Sequence, residues 1–441
     1  MGGDAEPAPM DPLQLSEVEV VPAGPLVGIC RAPTSKSVTN RLLLMAALAN
    51  GRSRLVDVLR SDDTAVMMTA LRSLGAGVVD GGGSAIEVAG TDGHLLEPSG
   101  VLTAGLSGTT LRWLAAAALL VGGTVVLDGE PPLRRRPIRP LLQALAALGA
   151  EIESNGGQPP LRITSKGLGG GHVRVDAAES SQFATSLLLV SPYADADVEL
   201  EVANLGAAGY VELTLEAMSR WGASVGRSDA GFYVVSAGRH YQGRHEVVEY
   251  DASAAGHLFA LAMATGGSIT VRNVVATLQP DGGLTEVFAA MGARVEPAAD
   301  GGVTVSRRGR MGGVEVDVSA VPDQVPTLAA LGALAEGTTR LVRVSVARGH
   351  ETDRVSAIAR ELRKLGAGVE EPGDALVVHG GRPLRGAVVE TYDDHRMAMA
   401  LSSLAAAVPG VVIRDPGCVR KTYPAYWRDA AELGMCLRPT T

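Results

Sequence analysis

A helix-ending pattern recurs six times along the chain at nearly constant spacing. The tripeptide Leu-Gly-Ala, or a close variant of it, returns at intervals of 68 to 74 residues. Its glycines are Gly75, Gly149, Gly222, Gly292, Gly366 and Gly434. A repeat of this length is longer than the repeats of solenoid proteins, so six copies predict two lobes of three units and not an open array.

Each repeat combines helix and strand patterns. Before Gly149, for example, Leu141, Leu145 and Leu148 follow the spacing of three and four that one buried helix face requires. The glycine then suits the C-terminus of that helix. Four glycine turns lead into β-branched runs that predict strands, GTVVLDG, GSITVRN, GTTRLVRV and GVVIRDP. We therefore expect α, β, α, β units, with helices inside each lobe and sheets around them.

Length and charge limit the function classes. A chain of 441 residues exceeds one hydrophobic core and suits two domains of roughly 200 residues. The net charge of -9 argues against a nucleic-acid or membrane partner, so any cationic function must be local. The three cysteines lack CxxC spacing, which disfavours disulfides and zinc and favours a reducing, cytoplasmic location.

The N-terminus and the most apolar stretch do not predict targeting or membrane insertion. Residues 1–15 are acidic and rich in proline, and they lack the basic and apolar regions of a signal peptide, so we expect a flexible tail. The apolar run from residue 111 to 121 is too short to span a bilayer.

Basic residues recur beside serines or glycines near the predicted helix starts. The motifs are SKSVTNR with Lys36 and Arg41, SGTTLR with Gly108 and Arg112, RRRPI with Arg136, SSQF with Ser180, Ser181 and Gln182, HETDR with Arg354, DDHRM with Arg396, and RKTYP with Lys421. Free N–H groups and a partial positive charge make helix N-termini anion sites. Helix capping together with a solvated charge explains any one motif more readily, but seven recurrences favour phosphorylated ligands.

These motifs, together with YDAS and TYDDHRMAMA, resemble the 5-enolpyruvylshikimate-3-phosphate synthases of the enolpyruvyl transferase family, in the family's order. The resemblance covers nearly the whole chain after the tail. It implies an α/β fold of two lobes, each a threefold repeat of βαβαββ units with buried helices and outer sheets. It also implies one lobe of residues 16–35 plus 250–441 that contains both termini, an inserted lobe of residues 36–249, and an active site in the cleft between them.

The reaction implied by the resemblance transfers the enolpyruvyl group of phosphoenolpyruvate to the 5-hydroxyl of shikimate 3-phosphate, through a tetrahedral ketal, with release of phosphate. It needs no metal and no cofactor, and we expect a monomer. The resemblance assigns phosphoenolpyruvate binding to Lys36, Gly108, Arg136, Gln182, Arg354, Arg396 and Lys421. It assigns acceptor binding to Ser37, Arg41, Ser180, Ser181, Gln182, Asp323 and His350. It further implies inhibition by glyphosate, with Gly108 as a determinant.

Two acid–base groups must serve this chemistry, because one proton reaches the methylene carbon and another leaves the attacking hydroxyl. The resemblance gives the second task to Asp323 and the first to Glu351, with Lys36 assisting at the leaving phosphate. Without the resemblance, both carboxylates are more often helix caps or first-turn residues. His350 and His395 lack metal-ligand spacing.

Three departures from the family pattern fall on the acceptor side. His350 stands where a lysine is common, Val346 where an asparagine is frequent, and Ala207 where a serine for the acceptor phosphate is frequent. They motivate an alternative, a diverged paralogue that uses phosphoenolpyruvate with a different cyclohexene or cyclitol acceptor. A transferase acting on UDP-N-acetylglucosamine is disfavoured because the loop GEPPLRRRP lacks cysteine. A binding protein without catalysis is disfavoured by Asp323 and Glu351.

Overall fold

The computed structural model describes residues 11–136, 138–228, 231–274, 277–299 and 301–440. The strands are β1 (Glu17–Val21), β2 (Val27–Arg31), β3 (Arg52–Val56), β4 (Gly77–Asp80), β5 (Ile86–Ala89), β6 (Leu102–Thr103), β7 (Thr124–Asp128), β8 (Glu151–Ser154), β9 (Leu161–Thr164), β10 (Gly171–Asp176), β11 (Val198–Ala203), β12 (Val225–Arg227), β13 (Phe232–Val235), β14 (His245–Val247), β15 (Ser268–Arg272), β16 (Arg294–Pro297), β17 (Val303–Ser306), β18 (Glu315–Asp317), β19 (Thr338–Val342), β20 (Gly368–Glu370), β21 (Ala375–His379), β22 (Val388–Val389), β23 (Val411–Arg414) and β24 (Cys436–Pro439). The helices are α1 (Lys36–Leu48), α2 (Asp62–Ser73), α3 (Gly108–Ala117), α4 (Pro131–Arg134), α5 (Arg139–Ala147), α6 (Gln182–Val190), α7 (Ala208–Arg220), α8 (Ala252–Thr265), α9 (Leu284–Ala290), α10 (Val325–Leu334), α11 (Ser345–Arg348), α12 (Arg354–Lys364), α13 (His395–Ala405) and α14 (Tyr426–Glu432).

The strands of the described residues form four-stranded sheets of one common design. In the unit that runs β6, α3, β7, α5, β8, β9, the spatial strand order is β6, β7, β9, β8. The first two strands are parallel, and the other contacts are antiparallel. The remaining sheets repeat this order. The predicted α/β fold built from βαβαββ units is therefore confirmed.

The chain crosses between the two lobes twice. The repeat units next to these two crossings are completed by strands that are distant in sequence. β2 pairs in parallel with β15, and Cys30 lies opposite Val271. β14 in turn pairs in parallel with β3. β1 lies between β23 and β24 and so completes the last unit. The last strand before each crossing therefore belongs to the lobe that the chain then leaves. It pairs there with a strand that is distant in sequence.

Two separate hydrophobic cores lie inside these sheets. One core contains buried side chains from residues 38–248. The other joins residues 18–32 with residues 254–435. The helices at their centres, α1, α3, α6, α8, α10 and α13, are buried on nearly all sides, as an all-round apolar helix should be. We propose lobe boundaries at residues 35–36 and 249–250, where the chain passes between the cores.

Of the expected tail, residues 1–15, the structure describes residues 11–15, and residues 1–10 lie outside the described residues. Pro12–Gln14 form a 3-10 turn whose Pro12 is buried. This turn contacts a second 3-10 segment, Pro416–Lys421, and the carbonyl oxygen of Leu13 accepts a hydrogen bond from Arg420. Within the described residues, we find no helix that has both the length and the apolar character needed to cross a membrane.

The six repeat glycines end the second helix of each unit, as predicted. Each adopts a positive φ between 96° and 106°. After α5, the Gly149 N–H donates to the carbonyl of Ala146 and the Ala150 N–H donates to Leu145. These two bonds form a Schellman motif, and the same pair of bonds follows the other five helices. A residue with a β-carbon is disfavoured in this left-handed conformation.

Replacement of Gly149 by alanine tests this conformational requirement. A β-carbon at Gly149 would lie 3.9 Å from the Gly167 carbonyl oxygen, an ordinary contact, so the cost comes from φ and not from a clash. We expect Gly149→Ala to lower the free energy of unfolding by about 1–2 kcal/mol. Urea unfolding measures the change. Gly100→Ala is the control, because Gly100 has open space around it and no positive φ; equal effects of both substitutions would contradict the assignment.

Candidate active site

A cavity of about 90 Å³ lies between the two cores and is lined from both sides. Every residue predicted for the site lines it except Lys421. Lys421 lines a smaller adjoining cavity, which it shares with Arg136 and Glu351. The structure therefore brings together side chains that are up to 385 residues apart in the sequence, from Lys36 to Lys421.

The start of α1 supplies three of the predicted residues. Ser35 caps the helix by accepting the Val38 N–H, which places Lys36 at the first helical position. The Lys36 ammonium lies 3.3 Å from the buried carboxylate of Asp63. One turn later, the Arg41 guanidinium donates to Thr214, to the Ser37 carbonyl and to the backbone of α7. Burial lowers the pKa of Arg41 to about 10, so it remains charged at neutral pH.

Gly108 begins α3 and faces Arg136 directly. A β-carbon on Gly108 would lie 2.6 Å from Nη1 of Arg136, so side chains at this position are excluded unless Arg136 moves. Gln182, the first residue of α6, accepts from Arg112 at 2.7 Å and donates to Thr109 at 3.2 Å. Burial, with the charge of Arg136 as the next cause, lowers the pKa of Arg112 to about 9. Arg112 thus orients Gln182 toward the glycine loop.

Arg354 uses all of its N–H groups within the protein. Its Nε and Nη2 donate to the two oxygens of Asp394, at 2.7 and 3.2 Å. Nη1 donates to Asp323 at 2.5 Å and contacts His350 at 2.7 Å, and Nη2 also donates to Glu351 at 2.8 Å. A guanidinium has five N–H donors, so none remains for a substrate unless one of these partners is released.

Asp323 lies in the 3-10 turn Pro322–Gln324 and is held by cations. Arg396 contacts its second oxygen at 2.9 Å. Burial would raise the pKa of Asp323, but Arg396 and Arg354 hold it well below its ordinary value. Burial and Arg354 lower the pKa of His350, which favours a neutral ring whose Nδ1 accepts from Arg354.

Glu351 joins the two lobes. One oxygen accepts from the Lys421 ammonium at 2.6 Å and lies 3.8 Å from Nη1 of Arg136 in the inserted lobe. Burial would raise the pKa of Glu351, but Lys421, Arg354 and Arg136 hold it well below its ordinary value. Arg136 is the least satisfied of these cations, because its buried Nε has no hydrogen-bond partner among the described residues.

The sequence motifs missed the carboxylates that separate these cations. Asp63 lies in the first turn of α2, and Asp394 caps α13 by accepting the Arg396 N–H. Both are buried. Acidic residues at helix starts are common caps, so nothing in the local sequence distinguishes Asp63 and Asp394 from ordinary ones. Asp394 nevertheless stands two residues before the predicted Arg396, and that proximity was the available signal.

The part of the cavity that was predicted to bind the acceptor is lined partly by uncharged side chains. Ser180 and Ser181 lie just before α6, where the Ser180 hydroxyl accepts the Gln182 N–H at 3.3 Å. Ala207 and Val346 line the same cavity and provide no polar side chain. The departures noted in the sequence therefore lie at the cavity wall and not on a remote surface.

Two buried histidines flank the cluster. Burial, with Arg396 as the next cause, holds the pKa values of His257 and His395 well below the ordinary histidine value. Neither ring nitrogen of His395 has a hydrogen-bond partner among the described residues. In the described part of the chain, no group of three or more His, Cys, Asp or Glu side chains has an arrangement suited to a metal ion.

Comparison with known proteins gives consistent matches over nearly the whole chain. The model of the EPSP synthase (3-phosphoshikimate 1-carboxyvinyltransferase) family matches residues 20–430. The 3-phosphoshikimate 1-carboxyvinyltransferase of Methanoculleus marisnigri is 41% identical over 415 residues, which are 93% of this chain and 97% of that protein. That of Photobacterium profundum is 38% identical over 436 residues, 96% of this chain and 100% of that protein. The EPSP synthase structure from Acinetobacter baumannii superposes with a TM-score of 0.81 at 23% identity, covering 96% and 100% of the two chains.

Proposed function

The chain belongs to the EPSP synthase family, and on that premise we propose that its interlobe cavity transfers the carboxyvinyl group of phosphoenolpyruvate to the 5-hydroxyl of shikimate 3-phosphate. The observation that carries the proposal is one cavity in which buried cations from both lobes surround Asp323 and Glu351. Both substrates are small polyanions, and several fixed cations can bind them without a metal ion.

Phosphoenolpyruvate presents a carboxylate and a phosphate, and we assign both to the cations around Glu351. The buried Nε of Arg136 has no hydrogen-bond partner among the described residues, and Lys36 projects from the start of α1. The N-terminus of α3 at Gly108 adds free backbone N–H groups close to Arg136. Arg354, Arg396 and Lys421 complete the set, with Gln182 as a neutral donor. Arg354 must exchange one of its partners, a carboxylate or His350, for the substrate, since its five donors are occupied.

The acceptor takes the other half of the cavity. Ser37 and Arg41 at the first two turns of α1 suit its carboxylate, and Ser180 and Ser181 at the start of α6 suit its phosphate. His350 and Asp323 remain for its hydroxyls. A neutral His350 whose Nδ1 accepts from Arg354 carries its proton on Nε2, which leaves that nitrogen as a hydrogen-bond donor.

The chemistry then requires two proton transfers. The acceptor hydroxyl adds to C2 of phosphoenolpyruvate and loses its proton to Asp323, while Glu351 donates a proton to the methylene carbon. The ketal that forms loses phosphate and the added methyl proton, which restores the vinyl group. Lys36 assists the departing phosphate by charge.

Substrate charge sets the protonation of the two carboxylates. In the arrangement described, cations hold the pKa values of Asp323 and Glu351 well below their ordinary values, so both are ionised. Ionised Asp323 is ready to accept a proton. Glu351 can donate one only after its pKa rises, and substrate anions that pair with Lys421 and Arg136 remove the cause of its depression. Binding of phosphoenolpyruvate therefore raises the pKa of Glu351, which allows Glu351 to be protonated and to act as the acid.

The proposal is tested by phosphate release from phosphoenolpyruvate with shikimate 3-phosphate, shikimate and other cyclitols as acceptors. We expect steady turnover with shikimate 3-phosphate; no release at millimolar concentrations would contradict the proposal. The apolar side chains of Ala207 and Val346 favour the second candidate, a different acceptor, and faster turnover with an unphosphorylated ring would support it.

We also propose that the protein acts as a monomer in the cytoplasm. Residues of one chain line the cavity from both sides, so the proposed chemistry needs no residue from a second copy. Cys30, Cys418 and Cys436 are free thiols, as expected in a reducing compartment. Light scattering on the purified protein tests the monomer.

Gly108→Ala should weaken binding of the donor specifically. The added β-carbon would lie 2.6 Å from Nη1 of Arg136, so Arg136 must move away from the donor half of the cavity. We expect the KM for phosphoenolpyruvate to rise about tenfold or more, as loss of one charge-assisted hydrogen bond predicts. The KM for shikimate 3-phosphate should change little. We expect glyphosate to inhibit the unsubstituted protein and to inhibit Gly108→Ala less.

Gly206→Ala is the matched control on the acceptor side. Its β-carbon would meet Val346 at 3.5 Å, an ordinary contact, so the donor half is undisturbed. A Gly108→Ala protein with an unchanged KM for phosphoenolpyruvate would remove Gly108 and Arg136 from the donor site.

A further inference from the structure

A tyrosine hydroxyl of the inserted lobe reaches a buried carboxyl group of the other lobe. Tyr210, in the first turn of α7, donates to one oxygen of Asp281 at 2.7 Å. The second oxygen of Asp281 accepts from Nε2 of Gln324 at 3.0 Å. Asp281 is 2% exposed. Both of its oxygens are therefore occupied, one from each lobe.

Each end of this connection leads to the proposed site. The Tyr210 carbonyl accepts from Arg41 at 2.9 Å and from the Thr214 hydroxyl at 2.8 Å, so Tyr210 is fixed to the acceptor side of the inserted lobe. Gln324 directly follows Asp323 and ends the same 3-10 turn. A movement of Asp281 would thus change the position of Tyr210 relative to Asp323.

The residues before Asp281 make the contact specific. Pro280 packs on the start of α7, where a β-carbon on Gly209 would lie 2.5 Å from its ring. Gln279 accepts from the Ser35 hydroxyl at 3.0 Å and donates to the Tyr250 carbonyl at 2.6 Å, so it joins the two chain crossings between the lobes. Residues 279–281 therefore contact both the crossings and the inserted lobe.

We propose that Asp281 is a positioning residue that holds the acceptor wall of the inserted lobe, through Tyr210, in register with the turn that carries Asp323. It contacts neither the donor cations of the inserted lobe nor Glu351 by any hydrogen bond among the described residues. Burial raises the pKa of Asp281, with the charge of Asp323 as the next cause, so an unpaired oxygen there is costly. The proposal rests on the proposed function, because it is tested by the kinetic parameters for the acceptor substrate.

A double-mutant cycle with Asp281→Asn and Tyr210→Phe tests the connection. In Asp281→Asn, an amide that still accepts from Tyr210 turns its NH2 toward the NH2 of Gln324, so one of the two bonds is lost. We expect each single substitution to lower kcat/KM for shikimate 3-phosphate about tenfold, as loss of a buried hydrogen bond to a carboxyl group predicts. The KM for phosphoenolpyruvate should change less than twofold. The double variant should be no worse than Tyr210→Phe.

Independent effects of Asp281→Asn and Tyr210→Phe that multiply in the double variant would overturn the proposal. So would equal changes in the KM values of both substrates. The control is Tyr193→Phe, which removes a partly buried hydroxyl that donates to the Leu48 carbonyl at the far end of α1. It should lower the unfolding temperature without changing either KM.

Two further results keep the test decisive. If Asp281→Asn does not fold, Tyr210→Phe alone must still change the acceptor KM while the donor KM stays constant, and failure to do so overturns the proposal. Turnover by the unsubstituted protein tests the proposed function separately from the positioning role of Asp281. Its absence contradicts the proposed function, whereas normal turnover in Asp281→Asn contradicts the positioning role alone.

Discussion

Glu351→Gln is expected to lower kcat about 100- to 10,000-fold, the range that a general acid contributes. The glutamine keeps the shape of the side chain but has no proton to donate to the methylene carbon. It also removes the charge opposite Lys421 and Arg136, which should leave binding of phosphoenolpyruvate unchanged or tighter. Single-turnover measurements with saturating substrates separate the chemical step from binding. A loss below tenfold would remove Glu351 from the role of acid.

The matched control is Glu361→Gln. Glu361 is fully buried and pairs with Lys364 at 2.7 Å, but it does not line the cavity. We expect a change in stability and an unchanged kcat. A comparable loss of kcat in Glu361→Gln would show that removal of any buried carboxylate from this lobe disturbs the site.

The direction of the pH dependence follows from the same assignment. An acid must be protonated to act, so kcat should fall as pH rises through the pKa of Glu351 in the ternary complex. Because the cations hold that pKa low until anions bind, kcat/KM should reveal a lower limiting pKa than kcat does. Profiles of both parameters against pH check this order, and the step that belongs to Glu351 should be absent from Glu351→Gln.

Arg354→Met is expected to destabilise the protein by about 3–5 kcal/mol, the cost of leaving buried charges unpaired. Arg354 is 1% exposed and holds Asp323, Glu351 and Asp394 together. Methionine fills much of the volume but provides no donor, so three carboxylates are left close to one another with fewer cations. Urea unfolding measures the loss, and activity should disappear with it. Arg354→Lys should recover part of the stability but not the fork that binds Asp394 at two points.

Arg348→Met is the control for Arg354→Met. Arg348 pairs with Asp353 at 3.0 Å but is one-third exposed, and ion pairs at such positions contribute at most about 1 kcal/mol. Similar losses in the two variants would contradict the view that burial, and not the number of ion pairs, determines the cost.

The sixfold repeat gave the most reliable structural predictions. Gly149 and its five equivalents predicted helix ends, and the structure confirms a positive φ and a Schellman motif at each. The four strands predicted after glycine turns are β7, β15, β19 and β23. The sequence did not predict which strands complete the units at the crossings. β2 pairs with β15 across 236 intervening residues, residues 32–267, and this choice depends on the closure of a whole lobe.

The residues of the candidate site likewise fall into those that the sequence predicted and those that it did not. The cations were predictable because each lies in a short motif near a helix start, although Lys421 lies at the end of a 3-10 segment and not at the start of α14. The partners of those cations were not predictable. Asp281 and Tyr210 are 71 residues apart and belong to different lobes. Their separation falls within the spacing of the repeat, but a shared position in two repeats does not predict that the two side chains meet.

By itself, the sequence determined the sixfold repeat, the two-lobed α/β fold and the positive charges at the helix starts, because helix ends, strand patterns and capping are set by neighbouring residues. Tertiary structure alone decided that Arg354 has no free donor, that Glu351 is ionised beside Lys421, and that Asp281 joins the lobes. The physical reason is that burial and charge pairing depend on distances between chain segments, which local sequence patterns do not contain.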